Sequence, residues 1–270
     1  MKILHICASW AETNGAAVLA RHLAREQEQA GDEVRFATWA GVRVLRSADV
    51  VYIHCGWLPV TWWAALFARR FVRMPEACYD PVRLAYHGWK KRLVGPIERF
   101  FLRRAQSVVA TCAAEEAWIR AYEPRVKKVV REDMRRFYRL DVPPSLRHGG
   151  ALRVLYLGRN HPLKGLDVLR RAVRSIGPSV ELRVVSDALG EAKEAEFDWC
   201  DVLVLPTLSE NFGIVVAEAL AHGKLAVTTD GAPAWVNERN ERLTVLTGFR
   251  DGTDEERERH LRLCLARLAE

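Results

Sequence analysis

Four charged side chains stand in two short segments whose composition suits the binding of a phosphorylated ligand. Arg159 and Lys164 lie five residues apart in GRNHPLKG, which directly follows an apolar run. Glu210 and Glu218 lie in PTLSENFGIVVAE, which follows another apolar run. Two cations beside the free N–H groups of a helix start can form an anion site, and the alternative is that they are solvated loop charges.

Glu218 is unusual because the four residues before it and the three after it are apolar. A carboxylate on a mostly buried helix is costly without a partner. Ribose hydroxyls would supply two donors, and a salt bridge to a nearby arginine is the alternative. Gly213 allows a close backbone approach at the start of this helix, roughly 7–8 Å before Glu218.

The elements that would position these segments begin with a strand–helix–strand pattern. Hydrophobic periodicity predicts a βαβ unit near the N-terminus, whose strands are normally parallel. In the first half the predicted strands are residues 2–8, 33–39, 48–54 and 107–111, and the predicted helices are residues 16–29, 62–71, 90–104 and 115–122. The stretch 141–150, with two Pro, two Gly and no periodicity, predicts a linker.

After this linker the same pattern begins again. The predicted strands are residues 152–157, 180–186, 201–205 and 225–229, and the predicted helices are residues 165–175, 213–222 and 254–269. The sequence therefore predicts an α/β protein with two Rossmann-like, doubly wound domains facing a cleft, at residues 1–145 and 146–270. In such sheets ligands bind at the carboxyl ends of strands, where both charged segments begin.

Composition and missing motifs exclude several classes of protein. With 49% hydrophobic and 28% charged residues, the chain is neither disordered nor collagen-like. There is no GxGxxG after the first strand, no GxxxxGK[ST], no HExxH and no GxSxG. The six cysteines have neither CxxC nor metal-ligand spacing, which favours a reducing, cytoplasmic location. The uncharged stretch 50–68 is long enough for a membrane span, but His54, Gly56 and Pro59 favour a strand, loop and apolar helix.

Positive charge is concentrated in one part of the chain. The formal charge is +7, and the segment from Arg69 to Arg147 alone carries 19 basic and nine acidic residues. Basic residues interleave there with Trp89, Phe100 and Phe101. Three interpretations compete: a solvated helix face, docking on anionic lipid or a lipid-linked phosphate, and nucleic-acid binding. The last is disfavoured because no recognised nucleic-acid module accompanies the charge.

The two charged segments also carry a resemblance to a known family. Gly-Arg-x4-Lys-Gly, Glu210-x7-Glu218 and PTLSENFGIVVAEALAHGKLAVTTDGAPAW resemble retaining, nucleotide-sugar-dependent glycosyltransferases of family 4 with the GT-B fold. Bacterial members that build lipopolysaccharide core or capsular glycans are particularly similar. The first half is similar through KILHI, the loop containing Gly15, GDEVRFAT and ADVVYIHCGW. The similarity is strong over residues 152–235, moderate over 1–57 and faint between them.

This resemblance implies a role for each matching residue. Arg159 and Lys164 would hold the donor diphosphate, and Glu210 would contact the transferred sugar and stabilise positive character at its anomeric carbon. Donor contacts are also implied for a further set: Gly15 facing the diphosphate, His54 near the sugar, the backbone of Phe212, Gly213 and Ile214 at the phosphates or sugar, and Glu218 at the ribose. No metal or other cofactor is expected. The implied partners are a nucleotide-diphosphate sugar and a glycan or lipid-linked acceptor. The basic segment from Arg69 to Arg147 adds an anionic membrane surface as an expected partner, and no nucleic acid is expected.

The implied activity is sugar transfer in cell-envelope polysaccharide synthesis, at the cytoplasmic face of the membrane. Family members commonly exceed 330 residues and place another βαβ portion between the strands near residues 186 and 201. The second domain is therefore expected to have a reduced sheet, and the nucleobase is not determined. A non-catalytic sugar-nucleotide binder or partner subunit is the alternative, and a nucleotide-sugar epimerase is a third.

Overall fold

The first structural unit, Met1–Met134, is built around a parallel sheet. In the computed structural model, residues 1–86, 88–145 and 149–270 are described. The strands of this unit are β1 (Lys2–Ile6), β2 (Glu33–Ala37), β3 (Val50–His54), β4 (Phe71–Met74), β5 (Ser107–Ala110) and β6 (Val129–Arg131). They lie in the order β2-β1-β3-β4-β5-β6, and every neighbouring pair is parallel.

Helices connect these strands, as expected for parallel neighbours. They are α1 (Gly15–Gln29), α2 (Val42–Ser47), α3 (Pro59–Phe67), α4 (Pro81–Ala85), α5 (Gly88–Arg104) and α6 (Ala113–Tyr122). Asn14 caps α1, because its side chain accepts a hydrogen bond from the N–H of Ala16 at 3.2 Å. The central strands contribute fully buried side chains to the core, among them Ile6, Val51 and Ile53.

The second unit, Arg135–Glu270, contains its own parallel sheet. Its strands are β7 (Leu152–Leu157), β8 (Val180–Val185), β9 (Val202–Val204), β10 (Leu225–Thr229) and β11 (Leu243–Leu246), in the order β11-β10-β9-β7-β8. Its helices are α7 (Leu166–Ile176), α8 (Gly190–Trp199), α9 (Ile214–Ala221) and α10 (Asp254–Ala269). The described part of this sheet has five strands against six in the first unit, and the single helix α8 connects β8 to β9.

The terminal helix α10 packs against α7 and completes the core of the second unit. Thr253 and Glu256 form a reciprocal capping box at its start, which satisfies two backbone N–H groups. Leu261 and Leu265 of α10 are fully buried in the same core as Leu169 of α7. This helix coincides with the one predicted at residues 254–269.

The boundary between the units lies earlier than the predicted position at residue 145. Residues 135–145 associate with the second unit through long-range hydrogen bonds: Lys224 Nζ donates to the Ser145 carbonyl at 2.9 Å, and Arg242 Nη2 donates to the Leu140 carbonyl at 2.9 Å. Such contacts leave no periodicity in the sequence. Within the predicted linker 141–150, residues 146–148 lie outside the described residues, as does Arg147 at the end of the basic segment.

The sequence does not predict strand β4, because the helix predicted over residues 62–71 includes the first residue of its FVRM segment. The structure ends α3 at Phe67 and begins β4 at Phe71. Arg73 in this strand is fully buried, and its guanidinium donates to the equally buried Glu98 of α5. A charged residue in a central strand is accommodated here because its partner is buried with it.

The uncharged stretch 50–68 folds as β3, a loop and the nine-residue helix α3. Across the described residues, every helix falls short of the length and apolar character that a membrane span requires.

Candidate active site

Both sheets reverse their strand order at one place, and ligands of open α/β sheets bind at such points. In the first unit the reversal lies between β1 and β3, and in the second unit it lies between β7 and β9. We call the segments that leave the carboxyl ends of the latter pair the β7–α7 loop (residues 158–165) and the β9–α9 loop (residues 205–213). These two loops contain Arg159, Lys164 and Glu210, so the tertiary structure brings the predicted segments to one edge of one sheet.

Backbone contacts hold the two loops together. The Leu163 carbonyl accepts hydrogen bonds from the Leu208 N–H at 2.8 Å and from Thr207 Oγ1 at 3.0 Å. Gly165 lies at φ +67°, and a Cβ there would stand 2.0 Å from the Pro206 carbonyl oxygen. Only glycine fits this contact, so the close approach of the loops depends on its missing side chain.

Lys164 and Glu210, separated by 46 residues in sequence, form an ion pair between the loops. Their side chains are 17% and 16% exposed, so both retain access to solvent or a ligand. The Glu210 carboxylate also accepts from the Asn211 N–H at 3.0 Å, and the Glu210 N–H donates to the Gly231 carbonyl at 2.8 Å. The cation and the acid are thereby fixed at the carboxyl end of β9.

Tyr156, a buried residue of β7, stabilises the start of the β7–α7 loop. Burial, together with the nearby Glu210 carboxylate, raises the pKa of Tyr156 to about 12. Its hydroxyl donates to the Arg159 carbonyl at 3.0 Å, which fixes the first turn of the β7–α7 loop. Tyr156 was not singled out in the sequence, because an aromatic residue in an apolar strand has no distinguishing pattern.

Arg159 lies at the same edge of the second sheet as Lys164 and Glu210, but its side chain forms no ion pair with them. Its side chain is exposed, and no described residue forms a hydrogen bond or ion pair with its guanidinium. Both interpretations from the sequence, a phosphate-binding group and a solvated loop charge, agree with this placement. Its role toward a diphosphate therefore stays a prediction.

The segment Phe212, Gly213 and Ile214 forms the start of α9. Gly213 lies at φ +71° and is the N-cap residue, so the first turn has no side-chain cap. The unpaired N–H groups of a helix start favour an anion. Phe212 is buried between the rings of Tyr138 and Trp235, and its carbonyl accepts from Trp235 Nε1 at 2.5 Å. The backbone at this position is therefore rigidly supported.

Glu218 has one satisfied oxygen and one unsatisfied oxygen. Lys193 Nζ donates to its Oε1 at 2.6 Å, and the two side chains are 22% and 18% exposed. Its Oε2 is buried and has no hydrogen-bond partner among the described residues. The predicted alternative of a salt bridge thus holds in part, with a lysine in place of the expected arginine. A buried acceptor without a donor costs free energy unless a ligand supplies the hydrogen bond.

Lys193 belongs to α8, which the sequence analysis did not predict. The helix is clamped onto α9: Glu194 Oε2 lies 2.5 Å from His222 Nε2, and Phe197 stacks on the His222 ring with centroids 4.6 Å apart. Its sequence GEAKEAEFDW has weak apolar periodicity, and Phe197 is its only buried side chain. Contacts with α9 therefore place Lys193, and no local pattern could have identified it.

In the first unit, the two predicted residues lie at the corresponding switch point. Gly15 is the first residue of α1, in the turn that follows the β1 loop. His54 is the last residue of β3 and is fully buried. Both ring nitrogens of His54 are engaged, Nδ1 with Glu76 Oε1 at 2.8 Å and Nε2 with His5 Nδ1 at 2.9 Å. His54 is therefore held in one orientation, and its contact with a sugar stays a prediction.

The histidine pair extends into a buried polar chain. His5 Nε2 lies 2.9 Å from Gln27 Oε1 of α1, and burial reinforced by His54 lowers the pKa of His5 to about 3. Four non-glycine residues with positive φ follow β3 and β4: Cys55, Trp57, Glu76 and Ala77. Strained backbone of this kind concentrates at functional sites. Neither His5 nor Glu76 was singled out, since each contact joins residues distant in sequence.

Metal ligands are not grouped in the part of the chain that the structure describes. Within residues 1–86, 88–145 and 149–270, no cluster of three His, Cys, Asp or Glu side chains is arranged to hold a metal ion.

Sequence models of two glycosyltransferase domains match the chain. A glycosyl transferase 4-like domain matches residues 37–131, and a glycosyl transferases group 1 domain matches residues 187–256. The two matches together cover more than half of the 270 residues. Comparison with curated proteins by sequence gives no significant match.

Solved glycosyltransferase structures share the fold over the whole chain. Sucrose-phosphate synthase from Thermosynechococcus elongatus superposes with a TM-score of 0.69 at 14% identity, covering 99% of this chain and 97% of its own. HepE from Anabaena, in complex with UDP-glucose, gives a TM-score of 0.64 at 16% identity, with coverage of 100% and 94%. WaaG, a glycosyltransferase involved in lipopolysaccharide biosynthesis, gives 0.61 at 14% identity, with coverage of 100% and 94%.

At these identities the structural likeness shows the fold, which is the GT-B fold of two Rossmann-like α/β units. The fold and the two domain matches together define the class of protein. The chain belongs to the GT-B glycosyltransferases. The prediction of a glycosyltransferase with two Rossmann-like α/β domains is thereby confirmed, and retention of configuration stays a prediction.

Proposed function

We propose that this glycosyltransferase moves a sugar from a nucleotide-diphosphate donor to a glycan or lipid-linked acceptor, with retention of anomeric configuration. The observation that carries the proposal is the contact between Lys164 and Glu210, which two different loops bring together at the switch point of the second sheet. A cation that faces a diphosphate and an acid that faces the sugar are the two groups this transfer needs. HepE, a structural neighbour, was solved with UDP-glucose, which supports a nucleotide sugar as the donor class.

Glu218 supports the nucleotide half of the donor. Its buried Oε2 has no donor among the described residues, and vicinal ribose hydroxyls would supply one. It lies on α9, whose uncapped first turn faces the same edge of the sheet as Lys164. Phosphate at the start of α9 and ribose one turn further along would suit the length of a nucleoside diphosphate.

The chemistry follows from the charge that develops as the donor breaks. The acceptor hydroxyl attacks the anomeric carbon on the face from which the diphosphate departs, and the carbon–oxygen bond to the diphosphate breaks. The departing phosphate oxygen takes the hydroxyl proton. Lys164, aided by Arg159, offsets negative charge on the leaving group, and Glu210 stabilises positive character on the sugar. When the donor enters, Lys164 exchanges its Glu210 carboxylate for phosphate, so no metal is needed in this proposal.

The experiment compares Lys164→Met and Glu210→Gln with Arg262→Gln, a matched change at an exposed position of α10. We expect each site variant to lose about 10²–10³-fold in kcat for donor turnover, while its thermal midpoint stays within a few degrees of the parent. Arg262→Gln should turn over at the parental rate. Unchanged turnover in both site variants would refute the assignment. NMR of the first-formed product would test retention, since an inverted anomeric centre contradicts front-face transfer.

The alternative of a non-catalytic sugar-nucleotide binder is distinguished by slow hydrolysis of the donor in the absence of acceptor. A pure binder protects the donor, whereas a transferase with water in its acceptor site releases free sugar. The sequence keeps all four charged residues of the motif (Arg159, Lys164, Glu210 and Glu218), which favours the enzyme.

We place the reaction at the cytoplasmic face of an anionic membrane, in cell-envelope polysaccharide synthesis. Five of the nine acids in the basic segment are buried: Glu76, Asp80, Glu98, Glu115 and Glu123. Among the described basic residues of that segment, only Arg73 is buried. The surface of the segment is therefore more cationic than its sequence, as anionic lipid or a lipid-linked phosphate would require.

A further inference from the structure

The exposed side of α5 carries an apolar stripe that no described part of the chain covers. Trp89, Leu93, Ile97 and Phe100 are 67%, 76%, 44% and 46% exposed. At 3.6 residues per turn, the spacing 0, 4, 8 and 11 places all four within about 80° of arc and roughly 16 Å of helix. Singly exposed apolar residues are ordinary, but an aligned row on one helix marks a binding surface.

The opposite side of α5 anchors the helix to the first unit. Gly95, Phe101 and Leu102 are buried there, and Glu98 accepts hydrogen bonds from Trp62 Nε1 at 2.5 Å and from the Trp57 N–H at 3.3 Å. The Arg73 guanidinium and the Tyr79 hydroxyl, at 2.5 Å, donate to the same carboxylate. The contacts of this opposite face fix the orientation of α5 on the first unit, and with it the orientation of the apolar stripe.

The charges on α5 identify the chemistry of its partner. The helix contains six basic residues, and its one acid, Glu98, is fully buried, so its exposed surface carries no negative charge. Arg92 and Lys90 lie on the two sides of the stripe by helical angle, and Arg104 follows it at the end of the helix. Lys90 stands 5.5 Å over the Trp89 ring, and Arg104 stands 5.6 Å over the Phe100 ring. An apolar row bordered on both sides by cations matches a surface with acyl chains beneath anionic headgroups.

We propose that α5 lies in the plane of an anionic lipid surface, with Trp89, Leu93, Ile97 and Phe100 inserted below the headgroups and its cations at their level. This deepens the membrane partner of the proposed function. It adds that apolar insertion by one helix, and not charge alone, holds the protein there. Nucleotide binding by the second unit does not depend on it.

The test uses the full chain and vesicles of phosphatidylglycerol mixed with phosphatidylcholine, with pure phosphatidylcholine as the neutral arm. We expect parental protein to sediment with the anionic vesicles, to be weakened by salt, and to bind neutral vesicles far less. Leu93→Ser combined with Phe100→Ser should lower the partition coefficient about a hundredfold, because burial of each large apolar side chain is worth roughly tenfold. Lys90→Gln combined with Arg92→Gln should lower it roughly 25-fold on anionic vesicles only.

Leu263→Ser provides the matched control, since Leu263 of α10 is 48% exposed in the other unit. It should bind like the parent. Brominated lipid should quench tryptophan fluorescence in the parent, and Trp89→Phe should remove part of that quenching. Each variant should keep the parental thermal midpoint and donor hydrolysis in solution.

Three outcomes would overturn the proposal. If the parental protein does not bind anionic vesicles, an anionic lipid surface is not the partner. Full binding by Leu93→Ser/Phe100→Ser, with loss in Lys90→Gln/Arg92→Gln, shows attraction by charge without insertion. A parental dimer that this apolar variant converts to a monomer, with vesicle binding unchanged, shows that the stripe joins two copies of the chain. Failure of donor hydrolysis in the parent would instead refute the proposed function and leave the vesicle result standing.

Discussion

Replacement of Glu218 by glutamine should remove the recognition of ribose while leaving the rest of the site in place. In the structure, Oε1 is occupied by Lys193 and Oε2 is buried without a partner. Glutamine keeps the shape of the side chain but removes the charge. If ribose hydroxyls donate to Oε2, the variant exchanges a charged hydrogen bond for a neutral one, and it presents an amide N–H₂ group in one of its two orientations.

The size of the effect follows from these contacts. A hydrogen bond to a charged group contributes about 1.5–3 kcal/mol, and each 1.4 kcal/mol is tenfold in affinity. We therefore expect Glu218→Gln to weaken binding of a nucleoside diphosphate by roughly 10–150-fold. Because the Lys193–Glu218 pair is only about one-fifth exposed, its loss should lower the free energy of unfolding by about 1–3 kcal/mol.

The assay is titration calorimetry with two ligands. The first is the tightest binder among UDP, GDP, ADP and CDP, and the second is its 2′,3′-dideoxy form. Parental protein should prefer the hydroxylated ligand by the factor above, and Glu218→Gln should lose most of that preference. Lys193→Met should reduce the preference by a smaller factor, because Glu218 keeps its charge but loses the contact that orients it.

Glu196→Gln is the matched control. Glu196 also belongs to the second unit, pairs with Arg183 at 3.1 Å and is 21% exposed, close to the value for Glu218. It should retain the full ribose preference. The reasoning is refuted if Glu218→Gln weakens the dideoxy ligand as much as the hydroxylated one, since the carboxylate would then act on the fold or on the phosphates.

Three further predictions concern the fold and the reaction. Glu98→Gln should destabilise the first unit by about 3–5 kcal/mol in urea unfolding, because buried Arg73 loses its charged partner. Burial opposes the charged form of Glu98, but Arg73 and the hydrogen bonds from Tyr79 and Trp62 outweigh it and lower the pKa of the Glu98 carboxyl. The charged carboxylate therefore stabilises the fold fully above its pKa in the unfolded chain, and this stabilisation is lost as pH falls through the lower pKa of the folded state. The difference in stability between the parent and Glu98→Gln should therefore shrink below about pH 4. Gly165→Ala should separate the two loops and reduce donor turnover at least tenfold, measured against Gly248→Ala, where φ is +69° and an added Cβ meets no atom within 4 Å. Donor turnover should persist in excess EDTA, and loss that Mg²⁺ restores would contradict the proposed charge balance.

Much of the fold could be predicted because local hydrophobic patterns in the sequence indicate its strands and helices. The strand Leu152–Leu157, the strand Leu225–Thr229 and the helix Asp254–Ala269 were predicted to the residue. Continuous apolar runs identify strands that parallel sheets bury on both faces, and a 3.6-residue period identifies helices that pack on them. The two site loops were found for the same reason, since each follows such a run.

Two of the missed elements contain residues that are stabilised by distant partners. Strand β4 contains a buried arginine that only Glu98 of α5 makes tolerable, and α8 has weak periodicity and is held by contacts with α9. The first unit ends at residue 134, and not at the predicted residue 145, because residues 135–145 form hydrogen bonds with Lys224 and Arg242 of the second unit. Each case depends on a pairing across at least 25 positions, which single-sequence patterns do not record.

By itself, the sequence determined which side chains are available for chemistry and at which strand ends they stand, because apolar periodicity and turn residues act over a few positions. Only the tertiary structure decided how those side chains are paired. It pairs Lys164 with Glu210. It places Lys193 against one carboxylate oxygen of Glu218 and leaves the other oxygen without a donor among the described residues. It also buries His54 between His5 and Glu76. The reason is physical: burial and ion pairing depend on distances in space, and these are set when the carboxyl ends of adjacent parallel strands bring remote loops to one edge of a sheet.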